Sequence, residues 1–137
     1  MSAYHETLEI SGHGRGFREI TDQIARVVSE SAIDAGSCLV FVQHTSAGLC
    51  IQENADPSAR HDMEAWLDRM APENDPHYTH TAEGPDDMPA HLKAILTSTS
   101  IDIPVIDGRL AMGTWQGLYL CEFRNRPGRR RIVVMVR

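Results

Sequence analysis

A chain of 137 residues with a formal net charge of −6, 42% hydrophobic and 23% charged residues, has the makeup of one ordinary globular domain spanning residues 1–137. That length buries about two-thirds of the unfolded surface without help from disulfides. The negative charge argues against nucleic-acid partners. No apolar run approaches the roughly 20 residues of a membrane span, and the start, Met1 to Glu6, lacks the basic-then-apolar pattern of a secretory signal.

In chain order, Tyr4–Ile10 alternates and reads as a first strand, 12–16 as a glycine-rich loop and Phe17–Ile20 as a short second strand. Thr21 reads as the N-cap of a helix of about 14 residues, with Ile24, Val27, Val28 and Ala32 at helical spacing and Gly36 as its stop. Cys38–Gln43 reads as a buried strand and Ala47–Glu53 as another, with His44-Thr45-Ser46 at their junction. Asp56-Pro57 opens a second helix whose apolar face is Met63, Trp66, Leu67 and Met70, ending before Pro72. Residues 72–86 read as loop, and Asp87 caps a third helix over 88–96 with Leu92, Ile95 and Leu96 as its apolar face. Strands follow over Ile101–Ile106, Arg109–Met112, Thr114–Arg124 and Arg129–Val136, with Asp107-Gly108 a two-residue hairpin turn. Antiparallel hairpins interrupted by about three helices predict an α+β fold, a two-layered sheet forming a sandwich or half-barrel.

The three cysteines, Cys38, Cys50 and Cys121, are widely spaced and form no Cys-x-x-Cys. The expectation is buried reduced thiols in a reducing cytosol, hence a cytoplasmic protein. Three histidines carry more chemistry. His44, His80 and His91 come from separate segments, and imidazole is the commonest ligand of divalent transition metals. Three such ligands leave one position open for water or substrate. His77, three residues before His80, competes for the same role.

Glu53 and Asn54, at a strand-to-helix junction, exceed what capping requires, so a carboxylate there is a candidate general base or ligand-orienting group. Thr45 and Ser46 lie beside His44, but adjacent strand residues point to opposite faces, which disfavours a nucleophile–base pair. Trp115 reads more readily as a core residue than as a stacking platform. Gln116 and Glu122 share a strand face with Leu118 and Leu120, at a sheet rim or a pocket wall. Between Arg124 and Arg137 there are six arginines and no acid. That segment is a solvated strand or a phosphate clamp; the aromatic interleaving of an RNA platform is absent.

Taken together, His44-Thr45-Ser46-Ala47, Glu53-Asn54-x-Asp56-Pro57, Asp62, His80-x-x-Glu83-Gly84, Ala90-His91-x-Lys93, Pro104-Val105, Gly108-x-Leu110 and Gly113-Thr114-Trp115-Gln116 resemble the YjbQ-like family, also called the secondary thiamine-phosphate synthase family. The resemblance runs from about Tyr4 to Val136. It implies a compact α+β domain packed as a homotrimer, with a divalent metal, zinc by ligand type, on His44, His80 and His91. It also implies a weak transferase activity that joins a pyrimidine-methyl diphosphate to a thiazole phosphate and releases pyrophosphate.

On that reading the metal holds the leaving diphosphate, and Lys93 and Arg131 supplement it. Glu53 and Asp62 position water or move a proton. Trp115 stacks on the pyrimidine, and Thr45, Ser46, Asn54 and Gln116 line the substrate site. The chain departs from the family pattern at Asp86-Asp87, where many relatives carry asparagine, and at Glu122-Phe123-Arg124, a variant of a common Glu-His-Arg. The alternatives are metal-assisted hydrolysis of a phosphate ester and a non-catalytic metal- or anion-binding module.

Overall fold

The computed structural model describes residues 2–11 and 13–137. Met1 and Gly12, the latter the first residue of the expected 12–16 loop, lie outside the described residues.

The elements run β1 (Tyr4–Ile10), β2 (Gly16–Glu19), α1 (Thr21–Ser31), β3 (Gly36–Val42), β4 (Ala47–Glu53), α2 (Pro57–Met70), α3 (Asp87–Leu96), β5 (Ser100–Ile106), β6 (Arg109–Leu110), β7 (Gln116–Glu122) and β8 (Arg130–Val136). All strand pairs are antiparallel. They form a five-stranded sheet ordered β1-β8-β3-β5-β6 and a three-stranded sheet ordered β2-β7-β4, curled into the half-barrel of an α+β fold.

The main core lies between the sheets. Leu49, Leu118 and Leu120 from the three-stranded sheet meet Val40, Val42, Ile103, Ile132 and Val134 from the five-stranded one, and Ile24, Val27 and Val28 of α1 complete the cluster. A second, smaller cluster, with Phe17, Tyr119, Cys121 and Phe123, occupies the other face of the three-stranded sheet and is covered by Leu67 of α2 and Ala90 of α3. β7 is therefore buried on both faces, which explains its nearly unbroken apolar run.

Several local expectations change in three dimensions. Thr21 is the first residue of α1 and does not cap it: its hydroxyl donates to Glu19 Oε2 (2.8 Å) and accepts from the Leu118 N–H (2.9 Å), tying the helix to β7. The helix stops at Ala32, which adopts φ 57°, because Ile33 must drop into the core. Gly36 instead opens β3, where an added Cβ would collide with the Arg137 carbonyl. Asp107 (φ 53°) and Gly108 (φ 72°) make the expected tight hairpin turn, with positive φ at both central residues. The strand after it spans only Arg109–Leu110, and β7 begins at Gln116. In α2 the Asp56 carboxylate caps the Ser58 N–H (2.9 Å) as expected, yet Trp66 and Met70 face outward and only Leu67 is buried.

The largest inversion is in α3. Its buried face carries Asp87, Pro89, Ala90 and Lys93, while Ile95 and Leu96 are exposed. The charged residues turn inward because each meets a partner there. Asp87 meets Arg124 and His80, and the Lys93 ammonium meets Asp68 Oδ1 at 2.5 Å and sits over the Phe123 ring.

One ion pair joins the two sheets. Glu122, the last residue of β7, is fully buried, and Arg130, the first of β8, nearly so. The guanidinium forks onto the carboxylate, Nε to Oε1 and Nη2 to Oε2, both at 2.6 Å. Arg130 Nη2 also donates to the carbonyl and hydroxyl of Ser46, and Glu122 Oε2 accepts from the backbone N–H groups of Phe123 and Arg124. Glu122 thus borders a cavity of about 220 Å³, as one of the two expected positions had it, but its carboxylate is taken up by Arg130, and it anchors the corner from which the polar side chains project.

Removing one partner of such a pair leaves the other charge buried and uncompensated. We predict that Arg130→Met destabilises the protein by about 3–5 kcal/mol, read as a lower urea midpoint. Arg130→Met combined with Glu122→Leu should recover most of that loss.

Candidate functional site

The polar corner gathers residues from five places: the β3–β4 junction (Thr45, Ser46), the segment before α3 (His80, Glu83, Asp86), the first turns of α3 (Asp87, His91), the end of β7 and the second residue after it (Glu122, Arg124), and the start of β8 (Arg130, Arg131). Asp87 is its hub. One carboxylate oxygen, Oδ1, accepts from Arg124 Nη1 at 2.6 Å. The other, Oδ2, faces two imidazoles: His80 Nε2 at 2.7 Å and His91 Nε2 at 3.1 Å. Asp87 and His91 are four residues apart and so share a face of α3.

Arg124 is fixed in turn by Asp86 Oδ2 (3.1 Å) and the Glu83 carbonyl (3.1 Å). Burial opposes the charge on Asp86 and Asp87. The Asn125 N–H and Arg124 at Asp86, and His80, His91 and Arg124 at Asp87, outweigh it and hold both carboxyls below the usual range.

The second ring nitrogen of His91 sets its protonation. His91 Nδ1 lies 2.8 Å from the Thr45 carbonyl, which can only accept, so the proton is on Nδ1. In the neutral ring, Nε2 then presents a lone pair to a carboxylate oxygen. Two lone pairs at 3.1 Å repel unless a proton or a cation lies between them. His80, Asp87 and His91 each offer a ligand atom within 4.8 Å of the others. Two imidazole nitrogens, one carboxylate oxygen and a backbone carbonyl fixing the tautomer of one ring form a donor set that fits a divalent transition metal.

His44 does not join this cluster. Its Nε2 accepts the Arg131 N–H at 2.8 Å, so the lone pair is engaged and the neutral ring carries its proton on Nδ1. Burial, reinforced by the nearby Arg130 guanidinium, lowers its pKa. Of the three histidines expected to converge, His80 and His91 cluster, with Asp87 beside them, while His44 stands apart from that group and shares a cleft with His91. His77 is exposed and pairs with Asp75 (2.9 Å), outside the cluster.

Two clefts flank the centre. His91 and His44 line one of about 560 Å³ with Phe41, Thr45, Ala94 and Ile95. His80 lines another of about 320 Å³ with Tyr78 and Met88.

The remaining expected residues divide sharply. The Thr45 carbonyl holds His91, and Ser46 is buried against Arg130, so its hydroxyl is structural. Arg131 is exposed beside His44. Lys93 points away from the histidines toward Asp68, because a two-residue step on a helix turns about 200°. It lines a separate cavity of about 220 Å³ with Glu64 and Phe123. Asp62 lies on the outer face of α2 beside Trp66 and Arg69.

Glu53, Asn54, Trp115 and Gln116 sit together at the opposite end of the β4–β7 pair, where Glu53 faces Gln116 while Ala47 faces Glu122. Seven-residue strands separate those ends by about 20 Å, so within one chain these four residues do not reach the histidine centre. Trp115 is not core; it is 63% exposed. Residue reading did not single out Asp87 or Arg124 as site residues. The signal was present in the i, i+4 spacing of Asp87 and His91 on a helix.

The engaged Nε2 and the burial of His44 make its titration depend on the fold. A histidine whose folded pKa is depressed favours the neutral form, so its contribution to stability is complete above the unfolded pKa and fades as pH falls toward the lower folded value. We predict that NMR titration finds the His44 midpoint below about 6.5, with the neutral ring protonated on Nδ1. A midpoint above that value would contradict the geometry.

A family model, UPF0047 protein YjbQ-like, matches residues 6–137. The UPF0047 protein sll1880 of Synechocystis sp. is 45% identical over 133 residues, covering 97% of this chain and 90% of the relative. The UPF0047 protein YjbQ of Escherichia coli O157:H7 is 44% identical over 131 residues, covering 95% and 94%. Among solved structures, a YbjQ-like protein from Sulfolobus solfataricus superposes with a TM-score of 0.89 at 26% identity, covering 98% of this chain and 96% of the other. A protein of the yjbq/upf0047 family from Clostridium acetobutylicum superposes with a TM-score of 0.84 at 37% identity, covering 97% and 98%.

Proposed function

The chain belongs to the UPF0047 YjbQ-like family, and from that premise we propose that it is a divalent-metal-dependent enzyme acting on a phosphorylated small molecule, of thiamine-phosphate-synthase type. The observation that carries the metal is the placing of two imidazole Nε2 atoms on one oxygen of Asp87. A divalent ion there, zinc by ligand type, would supply a Lewis acid that offsets the charge gained by a departing diphosphate.

The chain's own residues do the rest. Arg124 holds Asp87 by the oxygen that does not face the histidines, so the carboxylate cannot rotate away. The Thr45 carbonyl keeps the His91 proton on Nδ1. Arg131, exposed at the rim, offers its guanidinium to phosphate oxygens. Phe41, Ala94 and Ile95, in the cleft shared by His91 and His44, offer an apolar wall to an aromatic ring, the part that the sequence had suggested for Trp115.

Openness favours a second reading. The His80 side chain is 47% exposed, so water reaches the centre and could act as acceptor in phosphate-ester hydrolysis. Incubation with the pyrimidine-methyl diphosphate and thiazole phosphate, beside a panel of phosphomonoesters, separates the two. Product with water alone as acceptor would reject the synthase reading. A third reading, a module that binds metal without turnover, predicts metal retention and no product in either assay.

Assembly is part of the proposal. Leu96 and Ile106, exposed apolar side chains away from the lining of the cleft shared by His91 and His44, favour self-association, and the family resemblance makes the assembly a homotrimer. Light scattering should give a particle of three chains; a 15.3 kDa species at micromolar concentration would overturn this. Among the described residues no helix is long and apolar enough to cross a membrane.

For the metal we predict that His80→Ala, Asp87→Asn and His91→Ala each lose bound zinc by elemental analysis. Arg124→Gln, which disturbs the carboxylate indirectly, should weaken binding about 10–100-fold. His44→Ala should retain it. Undiminished metal in the first three variants, or none in the wild type, would reject the centre.

A further inference from the structure

The proposed chemistry leaves Cys50 and Cys121 unused. Cys50 on β4 faces Tyr119 on β7, and Cys121 is two residues further along, so the two thiols are diagonal neighbours across one strand pair. Their sulfurs lie 3.4 Å apart, with Cys121 donating to Cys50. Cys121 is fully buried between the three-stranded sheet and the helices, and Cys50 is partly open to solvent. Cys38 sits in the other core cluster, between the sheets.

We propose that Cys50 and Cys121 form a peroxide-responsive dithiol that closes to an intramolecular disulfide. The sulfurs need only approach from 3.4 Å to about 2.05 Å. The two positions also differ in chemistry. The Cys121 S–H donated to Cys50 lowers the Cys50 pKa against the opposing effect of burial. The same bond, and then burial, raises Cys121. Cys50 is therefore the attacking sulfur and Cys121 the resolving one.

In the first step Cys50 Sγ attacks one oxygen of a hydroperoxide and the O–O bond breaks. The thiol proton leaves with the other oxygen as water or alcohol, and Cys50 becomes a sulfenic acid. In the second, Cys121 Sγ attacks that sulfur, the S–O bond breaks, and the Cys121 proton departs with the hydroxyl as water. The two thiols are oxidised and the hydroperoxide is reduced. A dithiol reductant reverses the link, which suits a transient bond in a reducing compartment.

The test uses the full chain and hydrogen peroxide. The wild type should lose two of its three alkylatable thiols and two hydrogen atoms in intact mass. Peptide mapping should find Cys50 joined to Cys121 and Cys38 still free, with dithiothreitol restoring all three. Cys121→Ser should stop at a sulfenic acid on Cys50 that dimedone captures, and Cys50→Ser should lose the disulfide. Should either variant fail to fold, the wild-type map still decides. Linkage through Cys38, linkage between chains, or three free thiols after treatment would overturn the proposal.

Discussion

The buried fork between Arg130 and Glu122 is the constraint from which the polar half of this molecule follows. Two charges taken out of water are tolerated only when every donor and acceptor finds a partner. Here the guanidinium satisfies both carboxylate oxygens and reaches the Ser46 carbonyl and hydroxyl, while the carboxylate also gathers the N–H groups of Phe123 and Arg124. The pair fixes the end of β7 against the start of β8 and pins the β3–β4 corner to both. Arg124, held at its backbone by the same carboxylate, is placed to bond Asp86 and Asp87. Asp87 then has one oxygen left, and it meets His80 and His91. His91 returns to the Thr45 carbonyl, next to Ser46, closing a ring of interactions around the corner.

That ring accounts for the inverted face of α3. A helix ordinarily buries its apolar stripe. This one buries Asp87 and Lys93 and leaves Ile95 and Leu96 outside. The inward charges are held at 2.5–2.7 Å by Asp68, Arg124 and His80, so the desolvation cost is offset by direct pairing. Of the two apolar residues turned outward, Ile95 extends the wall of the cleft beside His91, which gives that cleft its mixed character: imidazoles at one side, Phe41, Ala94 and Ile95 at the other.

Much of the architecture was legible in the chain. Alternation in Tyr4–Ile10, the β-branched run of β3, the Asp56-Pro57 helix start and the Asp107-Gly108 turn each have a local cause, and each appears where that cause places it. The site was legible in part. His80 and His91 do converge. His44 was an equally good ligand by residue type, but its lone pair is taken by a backbone N–H 87 residues away. Glu53, Asn54, Trp115 and Gln116 looked like companions of the histidines, yet strand register sends them to the far end of the β4–β7 pair. No local pattern carries that information, because it depends on which strands pair and in which register.

The sequence by itself determined the fold class, the element order and the family, since hydrophobic period, capping and turn chemistry act over a few residues and the motifs match in order along the chain. Only the tertiary structure decided which groups share a centre: that Asp87, not His44, stands between the two imidazoles, and that Cys50 lies against Cys121. Those choices are made by long-range packing and by the requirement that each buried charge and polar atom find a partner. That condition is set by the assembled sheets, and the linear order of residues does not display it.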